Sequence, residues 1–86
     1  MPEISRFFGI VIKMYYNDHF PPHFHAEYGE YFLELGIDTF EILREDMPPR
    51  VMGLVLEWAV LHRDELRANW SRARSKEPLL PIDPLV

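Results

Sequence analysis

The feature of this sequence that most constrains its fold is a change in hydrophobic period at Pro48-Pro49. Before this pair, apolar side chains alternate with polar ones, and a period of two predicts strands with one buried face. From Val51 to about Ala73 the period becomes 3.6, which predicts an amphipathic helix. The proline pair ends the sheet region and pre-sets the backbone for a helix start. The sequence therefore predicts an α+β fold.

The alternating region divides into four predicted strands, over residues 7–16, 23–28, 31–37 and 40–43. Gly29-Glu30 is expected to form a two-residue hairpin turn, because glycine readily adopts the positive φ that such turns need. Pairing Tyr28 with Tyr31 across this turn keeps one face apolar. That register places Ala26 opposite Leu33, Phe24 opposite Leu35 and His25 opposite Glu34.

The expected architecture is a three- to four-stranded antiparallel sheet with one long C-terminal helix packed on its apolar face. We expect Phe24, Leu33, Leu35 and Trp58 to form the core between them. Residues 1–76 make a single domain, and 77–86 make an extended, proline-rich apolar tail. We expect the tail to bury its apolar side chains at least partly, on this chain or a second copy, and these are Leu79, Leu80, Ile82, Leu85 and Val86.

Composition excludes several classes of function. The chain has 86 residues, no cysteine and a net charge of −5. Disulfides, thiolate nucleophiles and cysteine-type zinc sites are excluded, and bulk charge argues against non-specific nucleic-acid binding. The sequence contains no run of eighteen apolar residues, so it predicts no membrane span, and the N-terminus does not resemble a signal peptide. The expected location is the cytoplasm.

The most informative pattern is a cluster of three histidines, His19, His23 and His25. An H-x-H pair on a strand places both rings on one side, which suits a divalent transition metal such as zinc, nickel or iron. The third ligand could be His19, Glu27 or Glu34. Two other interpretations remain: half-buried polar residues bonded to Glu34, or acid–base catalysts.

A second pattern is the excess of basic residues after position 62. Four of these bases are candidates for binding phosphate, RNA or an acidic partner: Arg67, Arg72, Arg74 and Lys76. They would equally complement the dipole at the C-terminus of a helix. Trp70 lies among them, but its helical phase favours the core. His62 lies in the same stripe, and we interpret it as a core histidine separate from the strand pair.

Several blocks of this sequence resemble the bacterial family named domain of unknown function 4160. They are Ile4–Ile12, Met14-Tyr15, Asp18-His19, Pro21–Ala26, Leu56–Ala59, Leu61-His62, Glu65-Leu66 and Asn69-Trp70. The resemblance covers nearly the whole chain and implies a small single-domain prokaryotic protein without an established reaction. It marks His19, His23, His25 and Trp70 as signature positions. It also implies a neighbouring gene for a protein of the domain of unknown function 2442 family, in an arrangement that looks like a toxin–antitoxin pair.

These observations leave three hypotheses. The first is a protein-interaction module, the toxin-like half of a two-gene system, which docks a small partner through the open sheet face and the tail. The second is a histidine- or metal-dependent nuclease or phosphoesterase that uses His19, His23 and His25. The third is a homodimeric structural domain.

Overall fold

In a computed structural model, which describes residues 2–85, the chain forms one five-stranded antiparallel sheet followed by two helices. The strands neighbour one another in chain order. They are β1 (Glu3–Phe7), β2 (Ile10–Lys13), β3 (His23–Tyr28), β4 (Tyr31–Gly36) and β5 (Ile42–Asp46), and the helices are α1 (Pro49–Leu61) and α2 (Arg63–Arg74). The α+β class and the antiparallel sheet are confirmed. The predicted number of strands and the single helix are wrong. Val86, a predicted tail residue, lies outside the described residues.

The predicted first strand is interrupted by a turn. Phe8 and Gly9 have φ values of 50° and 79°, and they join β1 to β2 with Phe7 paired to Ile10. Positive φ at both central residues is typical of a type I′ hairpin. Phenylalanine rarely adopts such a conformation, so the apolar alternation through Phe8 indicated a continuous strand instead.

The β3–β4 hairpin has the predicted register. Tyr28 pairs with Tyr31, and His25 pairs with Glu34. Gly29 has a φ of 59°, as the turn requires. This register fixes which side of the sheet His25 and Glu34 share.

The last strand begins later than predicted. The strand expected at residues 40–43 lies instead at Ile42–Asp46. Phe40, expected on the core face of that strand, has a φ of 56° and lies in the preceding connection. Ile42, also expected to be buried, is 48% exposed. The turn after β4 is longer than Asp38-Thr39, which shifts the strand along the chain.

The predicted long helix is divided at His62. Its φ and ψ of −123° and 25° depart from helical values, so α1 and α2 are separate elements. The apolar stripe nevertheless has the predicted phase, since Val55, Trp58 and Trp70 are all buried. In the described part of the chain, neither helix is long and apolar enough to cross a membrane.

The core lies between the sheet and the helices. Phe24, Leu33, Leu35 and Trp58 are each 0% exposed, which confirms the predicted core. The Trp58 indole packs against the rings of Phe7 and Phe24 at centroid distances of 5.5 and 5.8 Å.

Residues 77–85 form no regular helix or strand, yet they are hydrogen-bonded to β1, α1 and α2. The Ile82 N–H donates to the Ile4 carbonyl at 2.8 Å, and the Trp58 Nε1–H donates to the Asp83 carbonyl at 2.8 Å. Ile82 is buried, whereas Leu80 remains exposed. These bonds run to β1 and the helices and leave the outer face of the sheet uncovered by them.

Truncation of Trp58 tests the core. We expect Trp58→Ala to lower the free energy of unfolding by about 3–5 kcal/mol, the range for buried aromatic side chains. Val60→Ala is the control in the same helix, because Val60 is 62% exposed; its effect should stay within about 0.5 kcal/mol. Urea unfolding of both variants measures the difference, and similar losses would show that the helix phase is wrong.

Substitution of Asn69 tests the attachment of the tail. Asn69 is 1% exposed, and its side-chain amide donates to the Leu80 carbonyl and accepts from the Leu80 N–H. Asn69→Leu leaves these backbone groups without their partner, at a cost of about 1–3 kcal/mol each where they stay buried. We expect limited proteolysis to cut within residues 77–85 faster than in the unchanged protein. Equal cleavage rates would contradict the role given to Asn69.

Candidate functional site

Asp18, His23 and His25 converge at the start of β3. Asp18 lies in the connection between β2 and β3, and its Oδ2 is 3.2 Å from His23 Nε2 and 2.8 Å from His25 Nε2. One ligand atom from each of the three residues lies within 4.8 Å of the others. A metal ion with bonds of about 2.0–2.1 Å holds its ligand atoms roughly 3–3.5 Å apart, so small adjustments would close this group around an ion.

His23 is held rigidly within the cluster. Its side chain is 7% exposed, and its ring lies 5.5 Å from the buried Trp70 ring of α2. Its Nδ1 is 2.8 Å from the Pro21 carbonyl oxygen, which can only accept, so Nδ1 carries a proton and donates it. Both strand histidines face Asp18, as expected for rings on one side of a strand, and the Trp70 ring of α2 covers His23.

His25 lies on the outer side of the sheet with Glu34, as the register predicts. Its Nδ1 is 3.8 Å from Glu34 Oε2, and the Tyr15 ring meets its ring edge-on at 4.7 Å. Glu34 also accepts a hydrogen bond from Arg44 at 3.2 Å. Glu34 is thus placed behind His25, on the side away from Asp18.

The hydrogen bond from His23 Nδ1 determines what can lie between His23 Nε2 and Asp18 at the centre of the cluster. In a neutral ring protonated at Nδ1, Nε2 has only a lone pair, and it faces a carboxylate oxygen that also only accepts. Two acceptors at 3.2 Å need a proton or a cation between them. A divalent ion bound by Asp18, His23 and His25 satisfies both, and the two histidines with one carboxylate are a donor set typical of transition metals.

The neighbours of both rings fit this interpretation. Histidine ligands of metals usually donate their other N–H to a carbonyl or a carboxylate, which fixes the orientation of the ring. The Pro21 carbonyl does this for His23, and Glu34 lies near His25 Nδ1. Glu34, a predicted ligand, therefore lies in the position of an orienting group.

The other predicted third ligands lie elsewhere. His19 is exposed and is not part of the three-residue group. Glu27 forms an ion pair with Lys13 at 3.0 Å, and this hydrogen bond raises the pKa of the Lys13 ammonium. The carboxylate that sequence reasoning missed is Asp18. The nearest signal was its place in the resemblance block, directly before His19.

A cationic cleft adjoins the cluster and shares Asp18 with it. Its lining residues come from the β2–β3 connection and the end of α2; they are Tyr16, Asn17, Asp18, His19, Phe20, Arg74 and Lys76. Arg74 Nη1 donates to the Asp18 carbonyl at 3.0 Å, and its guanidinium lies 4.5 Å from the centre of the Phe20 ring. The histidine block and part of the basic segment, which lie far apart in the sequence, therefore meet in one place.

The end of α2 explains the position of Lys76. Lys76 has a φ of 59°, its N–H donates to the Ala73 carbonyl, and the Glu77 N–H donates to the Arg72 carbonyl. This is the Schellman pattern, which most often has glycine at the left-handed residue. A lysine in the left-handed conformation costs conformational free energy that a glycine would not, and Lys76 lines the cleft.

The other two candidate cations lie outside this cleft. Arg67 donates to Asp38 at 2.8 Å, and Arg72 donates to Asn69 at 2.9 Å. His62 is also separate: its ring packs on Trp58 at 5.4 Å, and its Nδ1 lies 2.5 Å from Glu65 Oε1. Only Arg74 and Lys76 of the four basic candidates line the cleft with His19.

Comparison with known families agrees with the resemblance seen in the sequence. A family model described as domain of unknown function (DUF4160) matches residues 9–71. The chain belongs to this family. The DUF4160 match includes Asp18, the three clustered histidines and Trp70, and it ends before Arg74 and Lys76. No curated protein and no solved structure matches the chain significantly.

Metal titration tests the cluster directly. We expect the purified protein to bind one Zn²⁺ or Co²⁺ per chain, and His23→Ala to abolish this binding because it removes one of three ligands. His19→Ala is the control, since His19 belongs to the same cluster in the sequence but lies outside the three-residue group. Calorimetric titration gives both results. Loss of binding in His19→Ala, or unchanged binding in His23→Ala, would contradict the assignment.

Proposed function

We propose that this chain is a metal-dependent phosphodiesterase, a reaction class that includes nucleases. The observation that carries the proposal is the position of the Asp18–His23–His25 group next to a cleft with two cations, Arg74 and Lys76. A three-ligand metal site has coordination positions for substrate and water. A cleft with positive side chains attracts the phosphate that would occupy them.

Each group has a distinct part in this reaction. A divalent ion in the cluster would polarise a phosphoryl oxygen and activate water at neutral pH. The water oxygen forms a bond to phosphorus, and the P–O bond to the leaving alcohol breaks. One water proton goes to the leaving oxygen, and the other leaves with the phosphate product.

His19 is the side chain best placed to move the proton. It is exposed, it lines the cleft and it is not needed as a ligand in the three-residue group. An imidazole can pass a proton to a leaving oxygen near neutral pH. The predicted role of His19 in the histidine cluster thus becomes acid catalysis rather than metal binding.

Arg74 and Lys76 would hold the phosphate. The Arg74 guanidinium has five N–H donors, and its Nη1 contact with the Asp18 carbonyl uses one, which leaves donors for a phosphate oxygen. That same contact ties the phosphate-binding group to the backbone of a metal ligand. Lys76 adds a second positive charge to the lining of the cleft.

Lys76→Gly is a clean test of the phosphate-binding role. Glycine adopts a φ near 59° without steric cost, so this variant should fold at least as well as the unchanged protein. With bis(p-nitrophenyl) phosphate and Mn²⁺ or Zn²⁺, we expect kcat/KM to fall about tenfold. The control is Arg67→Ala, because Arg67 pairs with Asp38 outside the cleft, and its kcat/KM should be unchanged.

Two results would contradict this proposal. One is the absence of hydrolysis with every divalent ion that the cluster binds. The other is hydrolysis that persists in full after chelation of the metal or after Asp18→Ala, since Asp18 contacts both histidines.

Docking of a protein partner is a second candidate function, and one specific observation favours it. Strand β5 lies at the edge of the sheet, and Ile42 on it is 48% exposed. An edge strand presents unpaired backbone groups that can add a strand from another protein. The partner to test is the small protein that the family resemblance leads us to expect beside this gene.

Co-expression separates this second candidate from a catalytic role alone. If β5 is the docking edge, the two proteins co-purify, and Arg44→Pro in β5 weakens the complex. A proline substitution in the Ser71–Ser75 segment would instead damage the cleft. Failure to co-purify, or a complex that is indifferent to Arg44→Pro at unchanged stability, would count against docking along β5.

A further inference from the structure

Phe20 is an exposed aromatic ring in the lining of the cationic cleft, next to Arg74. It is 66% exposed, although the Arg74 guanidinium lies over it at 4.5 Å and the Trp70 ring meets it at 5.9 Å. These two contacts fix the orientation of the ring, and most of its surface still faces solvent. A fixed and exposed ring is a surface on which a planar group can stack.

The surrounding loop adds two more exposed aromatic side chains. Tyr15 is 37% exposed and Tyr16 is 39% exposed, and Tyr16 lines the same cleft as Phe20. All three rings lie in the connection that also carries Asp18 and His19. Aromatic rings next to cationic side chains are the combination with which proteins hold single-stranded nucleic acid.

We propose that the substrate of this site is single-stranded nucleic acid, with an unpaired base stacked at Phe20 and phosphates held by Arg74 and Lys76. This inference rests on the proposed phosphodiesterase function and names its substrate class. A base inside a duplex already stacks on its neighbours, so it cannot offer its face to Phe20. The net charge of −5 also favours contact through this local cleft over contact along a broad surface.

Binding without hydrolysis tests the substrate class. Fluorescence anisotropy in EDTA, with a fluorescein-labelled 12-nucleotide single strand and the matching blunt duplex, keeps the substrate intact. We expect the single strand to bind at least tenfold more tightly than the duplex. Parallel arms with oligo(U) and oligo(dU), which differ only in the 2′-hydroxyl group, show whether the sugar contributes, and either order of affinity supports the proposal.

Two phenylalanines form a matched pair of variants. Phe8 is 60% exposed, close to the value for Phe20, but it lies in the β1–β2 turn, at the opposite end of β2 from the cleft. Phe20→Ala should weaken single-strand binding about tenfold or more, the range for loss of base stacking. Phe8→Ala should leave it unchanged. Phe20→Leu keeps an apolar contact for Trp70 without an aromatic face, and it should lose the same affinity at unchanged stability.

The dependence of affinity on salt tests the two cations. Each phosphate neutralised on a single strand contributes about 0.7 to the slope of log K against log salt. Lys76→Gly should therefore reduce this slope by about 0.7. The Arg67→Ala control should keep the slope of the unchanged protein.

Equal affinity for single strand and duplex, or equal effects of Phe20→Ala and Phe8→Ala, would overturn this inference. Hydrolysis of bis(p-nitrophenyl) phosphate is the independent readout for the reaction. If that activity is present while single-strand preference is absent, the substrate class is wrong and the proposed reaction stands. If the activity is absent as well, the reaction itself is wrong.

Discussion

Burial of Trp58 is the interaction on which the rest of the fold depends. Its indole packs on Phe7 and Phe24, which belong to β1 and β3, and its N–H donates to the Asp83 carbonyl in the tail. A buried indole N–H needs an acceptor, so the tail is fixed by the same side chain that centres the core. One residue thus ties α1 to the sheet and to the end of the described chain.

Helix α2 contacts two residues of the candidate site and so links it to the core. Its Trp70 closes over His23, and its Arg74 donates to the backbone of Asp18. The Asp18–His23–His25 cluster and the cationic cleft therefore share one wall. A ligand that is already held in place loses little entropy on binding, which favours a metal site at this position. The Pro21 carbonyl adds to this, because it fixes which nitrogen of His23 carries a proton.

Local sequence signals predicted part of this structure. The glycine at position 29 and the alternation around it gave the β3–β4 register, which placed His25 beside its predicted partner on β4. The turn at Phe8 was missed because phenylalanine is an unusual residue at positive φ. The break at His62 was missed because the apolar stripe continues through it. Asp18 was missed because the path of the β2–β3 connection, which no periodicity describes, brings it to the histidines.

We propose that His23 and His25 bind one shared cation through Nε2, with Asp18 as the third ligand. Long-range ¹H–¹⁵N spectra of the histidine rings, recorded before and after one equivalent of Zn²⁺, test it most directly. We expect zinc to shift the Nε2 signals of His23 and His25, to leave Nδ1 of His23 protonated, and to leave the spectra of His19 and His62 unchanged. Zinc-dependent shifts at His19, or none at His23 and His25, would contradict it.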